Sequence, residues 1–155
     1  MAVVDLMELP QILPPSAPLV GLDLGEKTMG VAVSDGARMV ASPLSLIRKT
    51  KFTQDAGALF KLMESRHAVG MVVGLPVNMD GTEGPRCQSV RAFARNLLRL
   101  NENLAIAFWD ERMSTMAINR LLISEADLNR ARRAEVVDKM AAAYILQGAL
   151  ERMRP

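Results

Sequence analysis

Several residue types are scarce in this 155-residue chain, and each scarcity removes a class of function. There is one cysteine, Cys87, so an internal disulfide and a cysteine-rich zinc site are excluded. A lone cysteine is most simply a small buried residue. There is one histidine, His67. A histidine-rich zinc site is therefore excluded, and a Ser-His-Asp triad would have to use that residue. His67 lies between a predicted helix and a predicted strand, where a surface role is expected. Four Phe, one Trp and one Tyr leave base stacking as no obvious mode of nucleic-acid binding. No uninterrupted apolar run approaches the roughly 18 residues of a membrane span. The N-terminus, MAVVDLMELPQILPPSAP, lacks the basic region of a signal peptide and is broken by Pro10, Pro14, Pro15 and Pro18. Residues 1–17 are read as a flexible proline-rich extension, and the chain is expected in the cytoplasm. Neither sign of charge dominates: 19 basic residues face 17 acidic ones, for a net +2. A polyanion would bind only where the basic residues cluster.

What is present is a succession of short apolar runs. Residues 19–24 and 29–34 have strand length and flank a turn at Gly25. Residues 38–47 form a third predicted strand, in which Pro43 marks an edge or an irregularity. These three make an antiparallel meander. Residues 52–65 carry apolar side chains at helical spacing. Residues 69–75 are rich in valine and read as a buried parallel strand. The turn-rich loop 76–85 leads to a helix over 86–101, with Pro85 suited to its first turn. Residues 104–109 give a fifth strand. Ser114 is an expected N-cap for a helix to residue 123, residues 127–133 are expected to be loose, and a last helix covers 135–152. The order β-β-β-α-β-α-β-α-α predicts an α/β fold with a mixed five-stranded sheet, its first three strands antiparallel, flanked by helices.

Three acids stand where acids are costly. Asp23 lies inside the first strand; alternation puts Leu19, Gly21 and Asp23 on one face and Val20, Leu22 and Leu24 on the other. The run Trp109-Asp110-Glu111-Arg112 ends the fifth strand, and parallel sheets collect their sites at the carboxyl ends of strands. Asp138 shares a helix face with Ala141, Ala142, Ile145 and Ala149. A buried charge costs several kcal/mol, to order of magnitude, unless it is paired or binds a metal. Inward acids from separate elements suggest an all-oxygen site for Mg²⁺ or Mn²⁺. Two such ions about 4 Å apart would serve phosphodiester hydrolysis. Each acid also has a plain structural explanation. Asp23 would cap the turn at 25–27, Asp110 would pair with Arg112 or cap the helix after it, Glu111 would form an exposed ion pair, and Asp138 would pair with Lys139 or Arg133.

The loop VVGLPVNMDGTEGPR is the second informative stretch. Its glycines allow close backbone approach, and Asn78, Thr82 and Arg86 offer donors beside a helix start, as a phosphate contact requires. Routine capping is the competing explanation. Arg86, Arg91, Arg95 and Arg99 form a basic stripe, and Arg130, Arg132 and Arg133 a second cluster; a solvated face is the competing explanation for both.

GLDLGEKTMGVAVSD, VVGLPVNMDGTEGPR, WDERMST and VVDKMAAAYILQGAL, in this order, resemble the YqgF/RuvX family of RNase H-like, RuvC-resolvase-related bacterial proteins. The likeness covers about residues 18–151. It implies that residues 18–155 are a single RNase H-like nuclease domain. It implies a cytoplasmic, metal-dependent nuclease (Mg²⁺ or Mn²⁺) that trims the 5′ end of precursor small-subunit (16S) rRNA. A role resembling Holliday junction resolution has also been proposed for the family. Carried over, Asp23 matches the first-strand acid and Asp138 the acid of the last helix. The middle acid is Asp110 or Glu111, with Glu111 favoured for its reach. Lys27-Thr28 stands where Lys-Arg is often seen, so no phosphate contact is expected there. Thr82, Arg86, Arg112, Arg130, Arg132 and Arg133 are the expected nucleic-acid contacts. The expected partner is RNA, as precursor rRNA or a pre-ribosome, with no membrane and with the protein as a monomer or homodimer. Three rivals stand beside this reading: a branched-DNA resolvase on the same site, a nucleotide-binding ATPase of the actin-like group, and a non-catalytic RNA-binding module of ribosome assembly.

Overall fold

The computed structural model describes the backbone of residues 3–113 and 130–154, and side chains over 3–113 and 140–154. Strands β1 (Leu19–Leu24), β2 (Thr28–Ser34), β3 (Ala41–Arg48), β4 (Gly70–Leu75) and β5 (Ile106–Asp110) form one five-stranded sheet in the order β3-β2-β1-β4-β5. β1 pairs antiparallel with β2 and β2 with β3, while β4 runs parallel to both β1 and β5. The predicted mixed sheet is therefore the observed one. β1 and β4 are central and covered on both faces, which is why their sequences read as continuous apolar runs rather than alternating ones. β3 is an edge, and its register against β2 shifts at the step beside Pro43. Proline cannot donate to the ladder, so an edge with an irregularity accommodates it.

The sheet separates two cores. On one face Val20, Leu22, Met29, Val31, Met71 and Val73 pack against α2 (Phe52–Ser65) and α3 (Pro85–Leu100). Asp55 is buried in the first turn of α2 and accepts hydrogen bonds from the Thr50 amide, at 3.0 Å, and the Thr50 hydroxyl, at 3.1 Å. The carboxylate thereby ties the chain preceding the helix to its first turn. At the other end of α2, exposed His67 has φ 57°. Its amide donates to Glu64 O and that of Ala68 to Met63 O, the paired bonds of a left-handed helix stop. The single histidine is thus a C-terminal cap.

On the opposite face Leu19, Ala32, Val72, Ala107 and Trp109 pack against α4 (Arg130–Met153). Here two expectations are corrected. Residues 3–17, expected to be a flexible extension, are packed. A 3₁₀ turn (Leu6–Glu8) and the short α1 (Leu9–Ile12) bring Leu6, Leu9 and Leu13 into this core. The Val4 amide donates to Ile106 O at 2.8 Å, and Val3 bridges Ile106. Arg38 clasps the proline-rich turn through the Pro14 and Ala17 carbonyls. The three leucines stand three and four residues apart, so one helical turn aims all of them inward. The prolines shape the segment instead of freeing it. Second, α4 begins at Arg130 rather than at 135. Residues 130–133 were expected to be loose but read Arg-Ala-Arg-Arg, all strong helix formers. The helix expected at 114–123 lies outside the described residues. No helix among the described residues is long and apolar enough to cross a membrane.

Candidate active site

Asp23 sits one residue before the end of β1, on the face that carries Leu19 and Gly21. That is the α4 face, as alternation requires. It is half-buried, so the carboxylate meets solvent at the strand end instead of being sealed in the core. Its neighbours on the adjoining strands are glycines. Its directly opposed partner on β2 is Gly30, and opposed residues share a face. On the other side Leu22 pairs with Val73 in parallel register, so the next step brings Asp23 beside Gly74. Asp23 therefore rises from a trough floored by glycine.

Glu111 reaches into that trough. It follows β5 in a 3₁₀ turn (Glu111–Met113). Its carboxyl carbon lies 3.3 Å from the point that a Cβ on Gly74 would occupy. The same point is 2.5 Å from Ile145 Cδ1 of α4. Glu111 thus folds over β4 on the α4 side, toward Asp23, and glycine at position 74 is what leaves room for it.

Asp110 behaves differently. Alternation along β5 sends Trp109 to the α4 face and Asp110 to the α3 face. There its carboxylate takes the guanidinium of Arg112 at 2.6 Å, with further bonds from Arg112 Nε at 3.0 Å and the Arg112 amide at 2.9 Å. The guanidinium holds the Asp110 carboxyl below the usual carboxylate range. Arg112 in turn reaches the Met79 carbonyl at 3.4 Å, linking the end of β5 to the 76–84 loop. The structure thus spends Asp110 on positioning Arg112, and Arg112 on positioning the loop.

The loop is internally fastened. The Thr82 hydroxyl donates to Asp80 at 2.6 Å and accepts from the Asn78 amide at 3.0 Å. Bonds from the Thr82 hydroxyl and amide keep the Asp80 carboxyl low. A hydroxyl has one proton to donate, so Thr82 holds the loop's shape and has no donor left for a phosphate in this arrangement. Glu83 forms a two-pronged ion pair with Arg91 at 2.7 and 2.8 Å, and Arg91 lies over the Phe108 ring at 5.0 Å. Arg91 therefore drops out of the predicted basic stripe, while Arg86, Arg95 and Arg99 stay exposed. Arg86 donates to the Leu24 carbonyl at 3.5 Å, next to Asp23. Cys87 is fully buried, and burial pushes its thiol up, which keeps it unreactive.

Asp138 stands on α4 one turn before Ala142. Its side chain, like those of Arg130, Arg132 and Arg133, lies outside the described residues. Among the described residues no group of three His, Cys, Asp or Glu gathers.

The position of α4 is set closely. A Cβ on Gly21 would fall 2.6 Å from Leu146 Cβ and 3.1 Å from the Ala142 carbonyl oxygen. Neither atom is the free end of a side chain, so the helix itself would have to move. Gly21→Ala is expected to destabilise the fold by about 1–3 kcal/mol, the usual cost of overpacking, as read by urea unfolding. An unchanged midpoint would show that α4 has slack.

One residue escaped the sequence reading. Lys49 donates from Nζ to Gly25 O at 3.0 Å and from its amide to Lys27 O at 2.8 Å, pinning the turn after Asp23. The basic run Arg48-Lys49-Thr50-Lys51 is the only signal that could have pointed to it.

Comparison with known proteins places the chain in a family. A protein of Phenylobacterium zucineum, provisionally named a pre-16S rRNA nuclease, is 80% identical over 154 residues and covers 99% of both chains. One of Paracoccus denitrificans with the same name is 63% identical and covers 93% of this chain and 90% of the relative. Among solved structures, Thermus thermophilus RuvC bound to a Holliday junction superposes with a TM-score of 0.56 at 13% identity, over 88% of this chain and 96% of that one. The yeast mitochondrial Holliday junction resolvase gives 0.52 at 11% identity, over 96% and 85%. Identities that low establish the shared fold alone. The family model described as "RuvX: Holliday junction resolvase" matches residues 17–152, and with the glycine-floored acid of β1, the Asp-Glu-Arg turn after β5 and the RNase H-like sheet in place, the chain belongs to the RuvX family of nucleases.

Proposed function

We propose that this nuclease cuts precursor small-subunit rRNA near its 5′ end in the cytoplasm, with Asp23, Glu111 and Asp138 holding Mg²⁺ or Mn²⁺. The observation that carries the reading is the Glu111 carboxyl folded over Gly74 toward Asp23. Two carboxylates are brought to the same end of the sheet, one from β1 and one from the turn after β5, as a donor set for a cation. Their oxygen-only chemistry fits a hard divalent ion. When bound, such an ion activates water and stabilises the leaving oxygen of the phosphodiester. The chain's own groups place the substrate. Arg86 lies at the strand end beside Asp23 and meets the phosphate backbone. The Asp110–Arg112–Met79 linkage fixes the loop against which the strand is laid. The substrate class follows the name carried by the most similar relatives.

The family description and the resolvase fold favour a second reading, cleavage of a four-way DNA junction. Both are tested by incubating the pure protein with labelled precursor rRNA and with a labelled junction, each with Mg²⁺, with Mn²⁺ and with EDTA. Metal-dependent cutting of the RNA is expected. Preferred cutting of the junction would replace the first reading by the second. Binding of RNA without cleavage under every condition would leave an assembly module that keeps the fold.

A further inference from the structure

A pocket of about 270 Å³ opens beside the β1–β2 turn, and of its lining the mechanism above uses Arg86 alone. Leu24, Gly25 and one acid, Glu26, line it from the end of β1 and the turn after it, Lys49 from just beyond β3, and Arg86, Ser89 and Phe93 from α3. Two cations from different elements stand at its rim, and Leu24, Val90 and Phe93 give it an apolar wall. Arg86 bonds the Leu24 carbonyl and Lys49 the Gly25 carbonyl, so both cations are anchored to the backbone just after Asp23. Gly25 is two residues beyond Asp23, about 7 Å along an extended chain. A nucleic-acid strand crossing the end of β1 therefore meets the acids on the α4 side and this pocket on the α3 side.

We propose that the pocket holds one unstacked nucleotide of a single-stranded RNA substrate, adjacent to the bond that is cut. Lys49 and Arg86 take its phosphate, and the base lies against Phe93 and Val90. A guanidinium carries five N–H donors, so the bond to Leu24 does not exhaust Arg86. Its size and its Phe93–Val90 wall suit an unpaired base, so on this proposal the pocket selects single strands. This rests on the nuclease reading, since it assigns the pocket to that substrate.

The test measures binding of a fluorescein-labelled single-stranded RNA dodecamer to the full chain in EDTA, across a range of salt concentrations. Removing a phosphate contact from a single strand lowers the log–log salt slope by about 0.7. Lys49→Gln and Arg86→Gln are each expected to do so, whereas Arg95→Gln, outside the pocket, lowers affinity less. Phe93→Leu is expected to weaken binding by about five- to a hundredfold with the slope unchanged, the size of a lost base contact. Phe93 also packs edge-on against Phe52 at 5.4 Å; if its variant unfolds, the Lys49 and Arg86 variants decide the matter. Unaltered slope and affinity in Lys49→Gln and Arg86→Gln would overturn the proposal. Because EDTA removes cleavage from the measurement, the outcomes separate. Weakened binding by the variants of a protein that cuts nothing keeps the pocket and ends the nuclease reading; unchanged binding by variants of an active nuclease does the reverse.

Discussion

Glu111→Gln is expected to lower phosphodiester cleavage by about a thousandfold or more, while Asp110→Asn lowers it less than about tenfold. The two residues are neighbours in sequence and both are acids, yet the end of β5 sends them to opposite faces of the sheet. Glu111 folds over Gly74 toward Asp23; its loss removes a charged oxygen from the proposed metal site. A metal supplies several kcal/mol of transition-state stabilisation, and each 1.36 kcal/mol is a factor of ten. Asp110 is engaged by Arg112, and a solvent-accessible pair of that kind is worth about 1 kcal/mol or less. Asp23→Asn should match Glu111→Gln. Single-turnover cleavage of labelled precursor rRNA at saturating Mg²⁺ reads all three. If Asp110→Asn were the inactive variant and Glu111→Gln the active one, the middle acid would be Asp110, and the trough over Gly74 would be a packing feature.

Leu9→Ala is expected to destabilise the protein by about 2–5 kcal/mol, the usual cost of emptying a buried leucine site. At about 2–4 °C per kcal/mol for a domain of this size, the melting temperature should fall by roughly 5–20 °C. Leu9 is fully buried between the sheet and α4, in the core that also contains Ile145 and Leu146. Met7, two residues away and 45% exposed, is the internal control, and Met7→Ala should change stability by no more than about 0.5 kcal/mol. Thermal unfolding of both variants is the measurement. Equal melting of Leu9→Ala and the parent would mean that the N-terminal segment stands apart from the fold.

The sheet was legible before any coordinates because its information is local. β-branched runs of strand length, a turn at Gly25 and Pro43 on an edge all follow from one or two residues at a time. The face of Asp23 was legible for the same reason: alternation has a fixed period of two, and Gly21 and Leu19 go where Asp23 goes. The motif resemblance named the family, which composition alone, with its near-neutral charge balance, would not have done.

Other features were decided only by the tertiary structure. Asp110 and Glu111 could not be separated by sequence because both lie where strand alternation gives way to a 3₁₀ turn. It took the side-chain-free site at Gly74, filled by Ile145 and Glu111, and the proximity of Arg112 to Asp110 to assign one acid to each face. Thr82 reads as a phosphate donor in the sequence, but in the fold its hydroxyl donates to Asp80. Lys49 was invisible because its partner, the Gly25 carbonyl, is 24 residues away. The N-terminal segment was misread for the opposite reason. Its prolines gave a strong local signal of extension, but what fixes it is long-range burial of Leu6, Leu9 and Leu13 against strands and a helix from the far end of the chain. Local backbone preferences are written residue by residue, whereas burial depends on which distant surface arrives. The sequence by itself therefore determined the strands, the acid-bearing face of β1 and the family. Folding decided which acid lies over Gly74 and which pairs with Arg112, what Arg86 and Arg91 hold, and that Leu6, Leu9 and Leu13 belong to the core.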